Sequence, residues 1–280
     1  MLFFWIKQVT QYKKKMKLKI TIIILVIFTC NTVWSQTKVD SSKIVRVLSF
    51  NILHGATTKG DFDLDVIAKV INDVNPDLVA LQEVDFKTKR SRRYDLSTEL
   101  GWRTKMSPLF GKAMSFDDGE YGVGILSKFG FLQTRNVALP FSPENEPRTA
   151  LEVLTQLPSK DTIVFIGTHF DSLKDDKDRI DQAKKINELV SLNKYPTILA
   201  GDLNDIPEST PINILEKVWS SSYNKENPKF TYPSGNPLKK IDYIMFYPKN
   251  RWKVLETKVI NDSIASDHCA YLIILELLDE

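Results

Sequence analysis

The stretch Thr197-Ile198-Leu199-Ala200-Gly201-Asp202-Leu203-Asn204 runs from an apolar segment directly into a carboxylate and an amide. A short apolar run that is rich in β-branched residues predicts a buried β-strand over Thr197–Ala200. The acid and the amide that follow then stand at the end of this strand. Polar side chains in such a place are available for chemistry, because strand ends border the clefts in which ligands bind.

The same pattern recurs five more times along the chain. The other predicted strands are Ile44–Phe50, Leu78–Leu81, Thr162–Gly167, Ile241–Phe246 and Ala270–Leu277. Acids, amides or histidines stand at or next to one end of each, namely Asn51, Gln82-Glu83, His169-Phe170-Asp171, Asp242 and Asp267-His268. Strands of a sandwich deliver their ends to a common edge, so we expect these groups to converge in one pocket.

The remaining segments predict an α/β fold. A helical period over 64–74 starts at Asp61 or Asp63 and ends before Pro76, and a second helix is predicted over Asp175–Leu192. Further strands follow one another without helices between them, over Gly122–Leu126, Phe129–Leu139, Ala150–Leu157 and Trp252–Ile260. This order favours two packed sheets, mixed or largely antiparallel, with helices outside, in one domain over residues 36–280.

The first 35 residues have the layout of a secretory signal peptide. A cationic segment, Lys13–Lys19, precedes the apolar run Ile20–Cys30, and small or branched residues allow cleavage after Ser35. A start at Met16 gives a leader of more usual length, and an uncleaved N-terminal membrane anchor is the alternative. We therefore expect a signal peptide over residues 1–35 and a secreted or periplasmic protein.

Removal of this leader changes the net charge of the chain from +3 to −3. The leader has six lysines and no acid, so 32 basic and 35 acidic residues remain. A protein with this balance has no long-range attraction for a polyanion, which makes nucleic acid a less favoured partner. Cys269 is then the single cysteine, so an intramolecular disulfide is excluded and a small buried side chain is predicted.

The polar groups at the strand ends are suited to hydrolysis of a phosphate ester with a hard cation. Glu83, helped by Asn51 and Asp267, offers the oxygen ligands that Mg²⁺ takes, with Mn²⁺ as the alternative metal. No CxxC or HExxH spacing occurs, so zinc is not predicted. Each residue alone has a plainer interpretation, for example a turn-forming Asn51 or a solvated Glu83. Because such polar groups occur at the ends of all six strands, we favour a common site.

The same set contains candidates for catalysis. His268 paired with Asp242 is predicted to act as a general base for the attacking water, with the carboxylate holding the imidazole in place. Asp202 and Asn204 are expected to orient that water and to supply a donor to the phosphoryl oxygens. His169 is expected to stabilise charge on the transition state.

The strand-end strings, in their order along the chain, resemble those of the endonuclease/exonuclease/phosphatase superfamily. The matching strings are Leu48–Ile52, Leu81–Val84, Thr168–Asp171, Gly201–Asn204, Ile241–Tyr243 and Ser266–His268. The resemblance covers nearly the whole mature chain and implies a four-layer α/β sandwich with metal-dependent phosphoesterase activity. It implies that Asp202 orients the water or acts as the base, with His268 as its partner, and leaves open which of the two takes the proton.

Two further segments, Glu120–Ser127 and Glu146–Leu151, resemble small, often exported bacterial members of this superfamily. Tyr121 is a candidate for contact with the phosphate and Arg148 for binding a second anionic group. The alternatives are a packed strand aromatic for Tyr121 and a surface ion pair with Glu146 for Arg148. A basic run, Lys87–Arg93, is either a solvated loop or a patch that receives a polyanion or a lipid headgroup.

Three classes of function remain. We favour a phosphoesterase that acts on a small molecule or a lipid headgroup, because the mature chain is acidic. A lipid substrate would bring the protein to a membrane surface. We expect the protein to be a monomer. The alternatives are a secreted nuclease and a non-catalytic binding protein with the same fold. The complete set of acids, amides and histidines argues against the last of these.

Overall fold

The computed structural model describes residues 1–30, 40–191 and 193–279. The chain divides into two compact units, Met1–Asp40 and Ser41–Glu280. The first unit contains helix α1 (Leu2–Cys30), which covers the cationic segment and the apolar run of the predicted leader. The predicted cleavage site after Ser35 lies outside the described residues. Within the described ranges, none of the helices combines the length and the apolar character needed to span a bilayer.

The described residues of the second unit form four α-helices and twelve strands, with three short 3-10 helices. The helices are α2 (Leu64–Val74), α3 (Leu96–Thr104), α4 (Lys177–Ser191) and α5 (Thr210–Glu216). The strands are β1 (Ile44–Asn51), β2 (Leu78–Phe86), β3 (Ser107–Phe116), β4 (Gly119–Ser127), β5 (Phe131–Ala138), β6 (Thr149–Gln156), β7 (Thr162–His169), β8 (Thr197–Asp202), β9 (Ser220–Ser221), β10 (Asp242–Tyr247), β11 (Trp252–Ile260) and β12 (Ala270–Leu277).

These strands form two six-stranded sheets with orders β11-β12-β1-β2-β4-β3 and β5-β6-β7-β8-β10-β9. Each sheet has one parallel pair, β1 with β2 and β7 with β8, and its other pairs are antiparallel. The prediction of mixed sheets is therefore confirmed. Each parallel pair is connected through a helix, α2 or α4, as a parallel connection requires.

The apolar residues divide into three clusters that define four layers. The cluster between the sheets joins Val47 and Ile125 of the first sheet to Phe165 and Ile198 of the second. A second cluster packs α2 and α3 on the outer face of the first sheet, and a third packs α4 and α5 on the second sheet. The arrangement is a four-layer α/β sandwich, as the resemblance implied.

Local sequence signals account for α2 but not for all elements. Asp63 caps α2 by accepting hydrogen bonds from the backbone N–H groups of Asp65 and Val66, and Asn75 ends the helix in the left-handed conformation before Pro76. Helices α3 and α5 and strand β3 were not predicted. The α3 sequence has no strong apolar period, and Asp95 alone marks its start.

Candidate active site

The topology brings strand ends from both sheets to one edge of the sandwich. The parallel pairs place the carboxyl ends of their strands side by side, so that Asn51 lies opposite Gln82 and His169 opposite Asp202. Strand β10 runs antiparallel to β8 with Asp242 opposite Asp202. The first residue of β10 therefore joins the same edge.

Glu83 reaches this edge through a β-bulge. The pairing of β2 with β4 shifts register between Leu81 and Val84, and Glu83 has a left-handed φ of 55°. A bulge re-aims a side chain that the regular alternation of the strand would place elsewhere. Oε1 of Glu83 accepts a hydrogen bond from Asn51 Nδ2 at 3.1 Å, and Oε2 lies 3.5 Å from His54 Nδ1.

The carboxylates of Glu83 and Asp267 have opposite pKa shifts. Burial alone would raise the pKa of Glu83, but the His54, His169, Asn51 and His268 side chains together lower it to about 2. Burial and the charge of Glu83 raise the pKa of Asp267 against the opposing effect of His268. The two carboxylates repel each other. A cation bound between them would reduce this repulsion.

The side-chain amide of Asn51 makes hydrogen bonds that the sequence did not predict. Its Oδ1 accepts a hydrogen bond from the backbone N–H of Leu53 at 3.1 Å, while its Nδ2 donates to Glu83 and lies 3.3 Å from Asp202 Oδ2. The amide oxygen is therefore bonded to the backbone, and the amide nitrogen faces Glu83 and Asp202. Ligation by Asn51 therefore stays a prediction.

Asp242 and His268 form a buried hydrogen-bonded pair. Nδ1 of His268 lies 3.1 Å and 3.2 Å from the two carboxylate oxygens of Asp242, and its Nε2 lies 3.6 Å from Asp202 Oδ2. Burial opposes a charged ring, but Asp242 and Asp202 outweigh it and raise the pKa of His268 to about 10. Without a bound cation, the imidazole is therefore protonated at neutral pH.

Asp202 is buried between the two histidines. Burial raises its pKa, His268 opposes the rise and Asp242 adds to it, with a resulting pKa of about 7. Its Oδ1 accepts a hydrogen bond from the backbone N–H of Asn204 at 2.9 Å, and its Oδ2 lies 3.5 Å from His169 Nε2. A carboxylate with a pKa near neutrality is suited to accept a proton at that pH.

His169 differs from His268 because its environment favours the neutral ring. Burial and the charge of Arg148 hold the pKa of His169 well below its usual range. Its Nδ1 lies 3.3 Å from Arg148 Nη1, and its Nε2 lies 3.0 Å from Asn204 Nδ2. Asn204 Nδ2 also donates to the carbonyl oxygen of Phe170 at 3.0 Å, which fixes the amide beside the ring.

The ten predicted site residues meet in one place. Eight of them line a cleft of about 730 Å³: Glu83, Tyr121, Arg148, His169, Asp202, Asn204, Asp267 and His268. The other two, Asn51 and Asp242, are fully buried and contact residues that line the cleft. A larger cleft of about 1070 Å³ between α2 and α3 contains none of the ten, so size alone does not identify the site. The individual roles of these residues stay predictions.

Comparison with known families identifies the chain. Residues 48–268 match the family described as "Endonuclease/Exonuclease/phosphatase family". The chain belongs to this endonuclease/exonuclease/phosphatase family. Members of the family are hydrolases that act on phosphoesters and depend on a divalent metal.

Solved structures of family proteins share the fold at low sequence identity. A family protein from Bacteroides thetaiotaomicron is 18% identical with a TM-score of 0.70, over 84% of this chain and 98% of that chain. A mannosyl-6-phosphatase of the same organism is 18% identical with a TM-score of 0.66, over 82% and 99%. The human Nocturnin catalytic domain, with bound sulfate, is 18% identical with a TM-score of 0.66, over 86% and 97%.

The donor set of this family member fits a hard cation. Glu83 and Asp267 both line the cleft and offer carboxylate oxygens. Among the described residues, ligand atoms of Asp202, Asp242 and His268 also lie within 4.8 Å of one another. In that trio the Nδ1 atom of His268 is already hydrogen-bonded to Asp242, and its Nε2 atom lies 3.6 Å from Asp202 Oδ2. Ligation of a metal by Glu83 and Asp267 stays a prediction.

Tyr121 and Arg148 are both buried in the wall of the family member's cleft. Burial and the charge of Glu83 raise the pKa of Tyr121, so its hydroxyl stays protonated. Nη2 of Arg148 lies 3.0 Å from Glu146 Oε2, which is the ion pair named as the alternative. Arg148 also contacts His169 and lines the cleft, so the ion pair and a substrate contact are compatible.

The basic run contributes one side chain to the cleft. Arg90 lines it, whereas Lys89 and Arg93 pair with Asp118, and Arg92 lies over the ring of Phe62. The run is therefore a structured loop in which most charges are engaged away from the cleft. Sequence reasoning had no signal that would single out Arg90.

Sequence reasoning also missed Lys240, which lies directly beneath the site. This side chain is 1% exposed, and its Nζ donates to the carbonyl oxygen of Asp242 at 2.9 Å. Three tyrosine rings surround the Nζ atom at 3.9 to 4.9 Å from their centroids: Tyr223, Tyr243 and Tyr271. Burial lowers the pKa of Lys240 to about 7.

Cys269 shows no sign of a nucleophile. It is free and fully buried, as predicted for a small core side chain. Burial raises the pKa of its thiol to about 12, and the neighbouring Asp242 adds to this effect. A catalytic cysteine needs the opposite shift.

Proposed function

We propose that this family member is a divalent-metal-dependent phosphoesterase that hydrolyses a phosphodiester or phosphomonoester of a small molecule or a lipid headgroup. One observation carries the proposal. In a single cleft, the buried network of Asp242, His268 and Asp202 lies beside the two carboxylates of Glu83 and Asp267. Asp242, His268 and Asp202 are thus available for proton transfer, while Glu83 and Asp267 are available for cation binding. The reaction requires both.

In this proposal, Asp202 accepts the proton of the attacking water. Its pKa of about 7 is matched to this task, whereas His268 is already protonated when no cation is bound. The water oxygen forms a bond to phosphorus and its proton passes to Asp202. The ester P–O bond breaks with its electron pair on the leaving oxygen, which takes a proton from solvent and departs as an alcohol. The protonated His268, held by Asp242, donates a hydrogen bond to a phosphoryl oxygen. Asn204 donates a second one through the Nδ2 hydrogen that is not bonded to the Phe170 carbonyl oxygen. Glu83 and Asp267 would hold the cation, which would supply Lewis-acid stabilisation of charge on the phosphoryl group.

The charges of the cleft favour a compact substrate over duplex DNA. Five acidic side chains line it, Glu83, Glu146, Asp202, Asp205 and Asp267, against three basic ones, Arg90, Arg148 and Lys239, and the protonated His268. The mature chain is also acidic, and most of the basic run is engaged in ion pairs and ring contacts. A polyanion gains little from such a surface, whereas one phosphate is bound by a cation and a few donors.

A panel of phosphoesters tests the proposal. Purified protein is assayed with Mg²⁺, Mn²⁺ or EDTA on a nitrophenyl diester, lipid headgroup esters, inositol phosphates and plasmid DNA. We expect hydrolysis of a small ester that requires metal, is lost in Asp202→Asn and persists in Glu152→Gln, whose carboxylate pairs with Arg135 outside the cleft. Full activity in EDTA would refute the metal role. Preferential nicking of plasmid DNA at physiological salt would favour the nuclease instead.

We also propose that the protein is exported. The support is the succession of cationic, apolar and small residues from Lys13 to Ser35. Export would place the active site outside the cytoplasm, where phosphoesters from the surroundings are available as substrates. An uncleaved leader would instead keep the protein attached to the membrane.

A further inference from the structure

The wall of the cleft next to Tyr121 is formed by two loops that are bonded to each other. Strands β3 and β4 meet at a turn formed by Asp117 and Asp118. The backbone N–H of Arg90 donates to Asp117 Oδ2 at 2.7 Å, and the backbone N–H of Lys89 donates to the carbonyl oxygen of Asp117 at 3.1 Å. These bonds fix Arg90 beside Phe116, the last residue of β3.

Arg90 is held in a single orientation by a buried carboxylate. Its Nε and Nη2 donate to the two oxygens of Asp85 at 2.8 Å and 2.9 Å, and Asp85 is fully buried. The guanidinium carbon lies 4.5 Å from the centroid of the Phe116 ring. Within the described part of the chain, Nη1 of Arg90 makes no hydrogen bond. A donor therefore remains for a ligand.

The charge of this wall is balanced. Asp85 compensates the charge of Arg90 through a two-bond ion pair, so the guanidinium offers directed donors without a net positive charge. Beside this donor, Phe116 is 37% exposed as a residue and lines the same cleft. Such a ring contacts the flat, apolar face of another ring.

We propose that Phe116 and Arg90 form a subsite for an uncharged ring that carries hydrogen-bond acceptors at its edge and is joined to the reacting phosphate. The ring face packs on Phe116, and an edge oxygen or nitrogen accepts from Arg90 Nη1. A sugar and a nucleobase both have this chemistry. The inference rests on the proposed function, because it assumes that the phosphate occupies the neighbouring reaction centre, and it adds the class of group that the phosphate carries.

Two variants test the subsite without removal of the buried ion pair. Arg90→Lys keeps a positive charge near Asp85 but loses the planar pair of donors. Phe116→Ala removes a partly exposed ring at a strand end. Lys89→Met is the matched control, because Lys89 belongs to the same loop but pairs with Asp118. Thermal unfolding of all three checks that the fold is retained.

The kinetic experiment compares kcat/KM for glucose 6-phosphate, adenosine 5′-monophosphate and ethyl phosphate, each also as its methyl diester. We expect the wild type to prefer at least one of the ring esters. Arg90→Lys and Phe116→Ala should lower that preference at least tenfold while turnover of the ethyl esters and the behaviour of Lys89→Met stay unchanged. The ring ester with the higher kcat/KM shows whether the subsite binds a sugar or a nucleobase. An unchanged preference in both variants overturns the subsite.

A binding measurement separates failure of the subsite from failure of the proposed function. Calorimetric titration of His268→Ala with the same esters in Mg²⁺ reports affinity without turnover. We expect the preferred ring ester to bind at least tenfold more tightly than its ethyl counterpart, and to lose this advantage when Phe116→Ala is added. Equal affinities overturn the subsite. If the wild type hydrolyses none of the esters while the affinity difference is present, the proposed function fails and the subsite stands.

Discussion

Replacement of Glu83 by glutamine tests the predicted cation site without knowledge of the substrate. Glutamine has nearly the same shape and keeps an oxygen for the hydrogen bond from Asn51 Nδ2. It removes the negative charge that lies close to Asp267, His54 and the two cleft histidines. Any change in the protein's response to metal therefore reflects the lost charge rather than a lost contact.

The structure gives the size of the effect in the metal-free protein. The pKa of Glu83 falls from 4.5 to about 2 on folding. A carboxylate whose pKa is lowered in the folded state stabilises the protein above its unfolded pKa, and this contribution is lost as the pH falls through the folded pKa. The shift corresponds to at most about 3 kcal/mol, because His169, which contributes to it, is uncharged at neutral pH. Glu83→Gln, which resembles the protonated form, should be destabilised by up to this amount at pH 7 and much less near pH 2.

The metal response provides the decisive measurement. A ligand present at one hundred times its Kd stabilises the folded state by about 2.7 kcal/mol. For a domain of this size, each kcal/mol moves the Tm by about 2–4 °C, so Mg²⁺ or Mn²⁺ should raise the Tm of the wild type by about 5–10 °C. Glu83→Gln should lose this rise, and the control Glu152→Gln should keep it. Scanning calorimetry of the three proteins with and without metal provides the comparison.

One result would refute the reasoning about the site. If Glu83→Gln shows the same metal-dependent rise in Tm as the wild type, then Glu83 is not a ligand. A rise that depends instead on Asp202 or Asp242 would place the cation in the trio of Asp202, Asp242 and His268. Asp202→Asn and Asp242→Asn, added to the same series, therefore distinguish the two candidate positions.

Three further predictions concern His268, the buried Lys240 and the leader. His268→Ala should lower kcat by about 10²–10⁴-fold with an unchanged circular dichroism spectrum, and wild-type turnover in this variant would exclude His268 from the reaction. Lys240 has a folded pKa of about 7 against 10.5 unfolded. The unfolded state therefore binds more protons between these values, and wild-type stability should gain about 3 kcal/mol relative to Lys240→Met between pH 7 and pH 10 in denaturant titrations; a constant difference would contradict this shift. Mass spectrometry of the protein from its host should find a mature N-terminus at or near Gln36, and an intact leader on a cytosolic protein would contradict export.

The positions of the site residues could be predicted from the sequence because they follow from sheet geometry. A buried strand is readable as a short apolar run, and the residue after it must lie at the edge of a sheet. His169 and Asp202 lie opposite each other because β7 and β8 are parallel neighbours. Asp242 meets Asp202 because β10 is antiparallel to β8. Strand direction and order thus determine the convergence.

Features that depend on three-dimensional contacts were not predictable in this way. The bulge at Glu83 has no local signature such as a glycine, although Glu83 adopts a left-handed φ. Helix α3 was missed because its apolar residues do not follow a strong helical period. The orientation of the Asn51 amide depends on the backbone N–H of Leu53, and its consequence for metal binding appears only in the structure.

The basic run shows why charge in a sequence does not identify a binding surface. Lys87, Lys89, Arg90, Arg92 and Arg93 look alike in the sequence, which predicts either a solvated loop or a patch that receives a polyanion or a lipid headgroup. In the fold, their partners differ: Asp118 engages Lys89 and Arg93, aromatic rings lie beneath Lys87 and Arg92, and buried Asp85 orients Arg90. A long, flexible side chain keeps one orientation towards a substrate when its hydrogen-bonding partner is itself fixed in the core. Asp85 has this property because it is fully buried, so Arg90 is the member of the run whose substitution should change substrate preference.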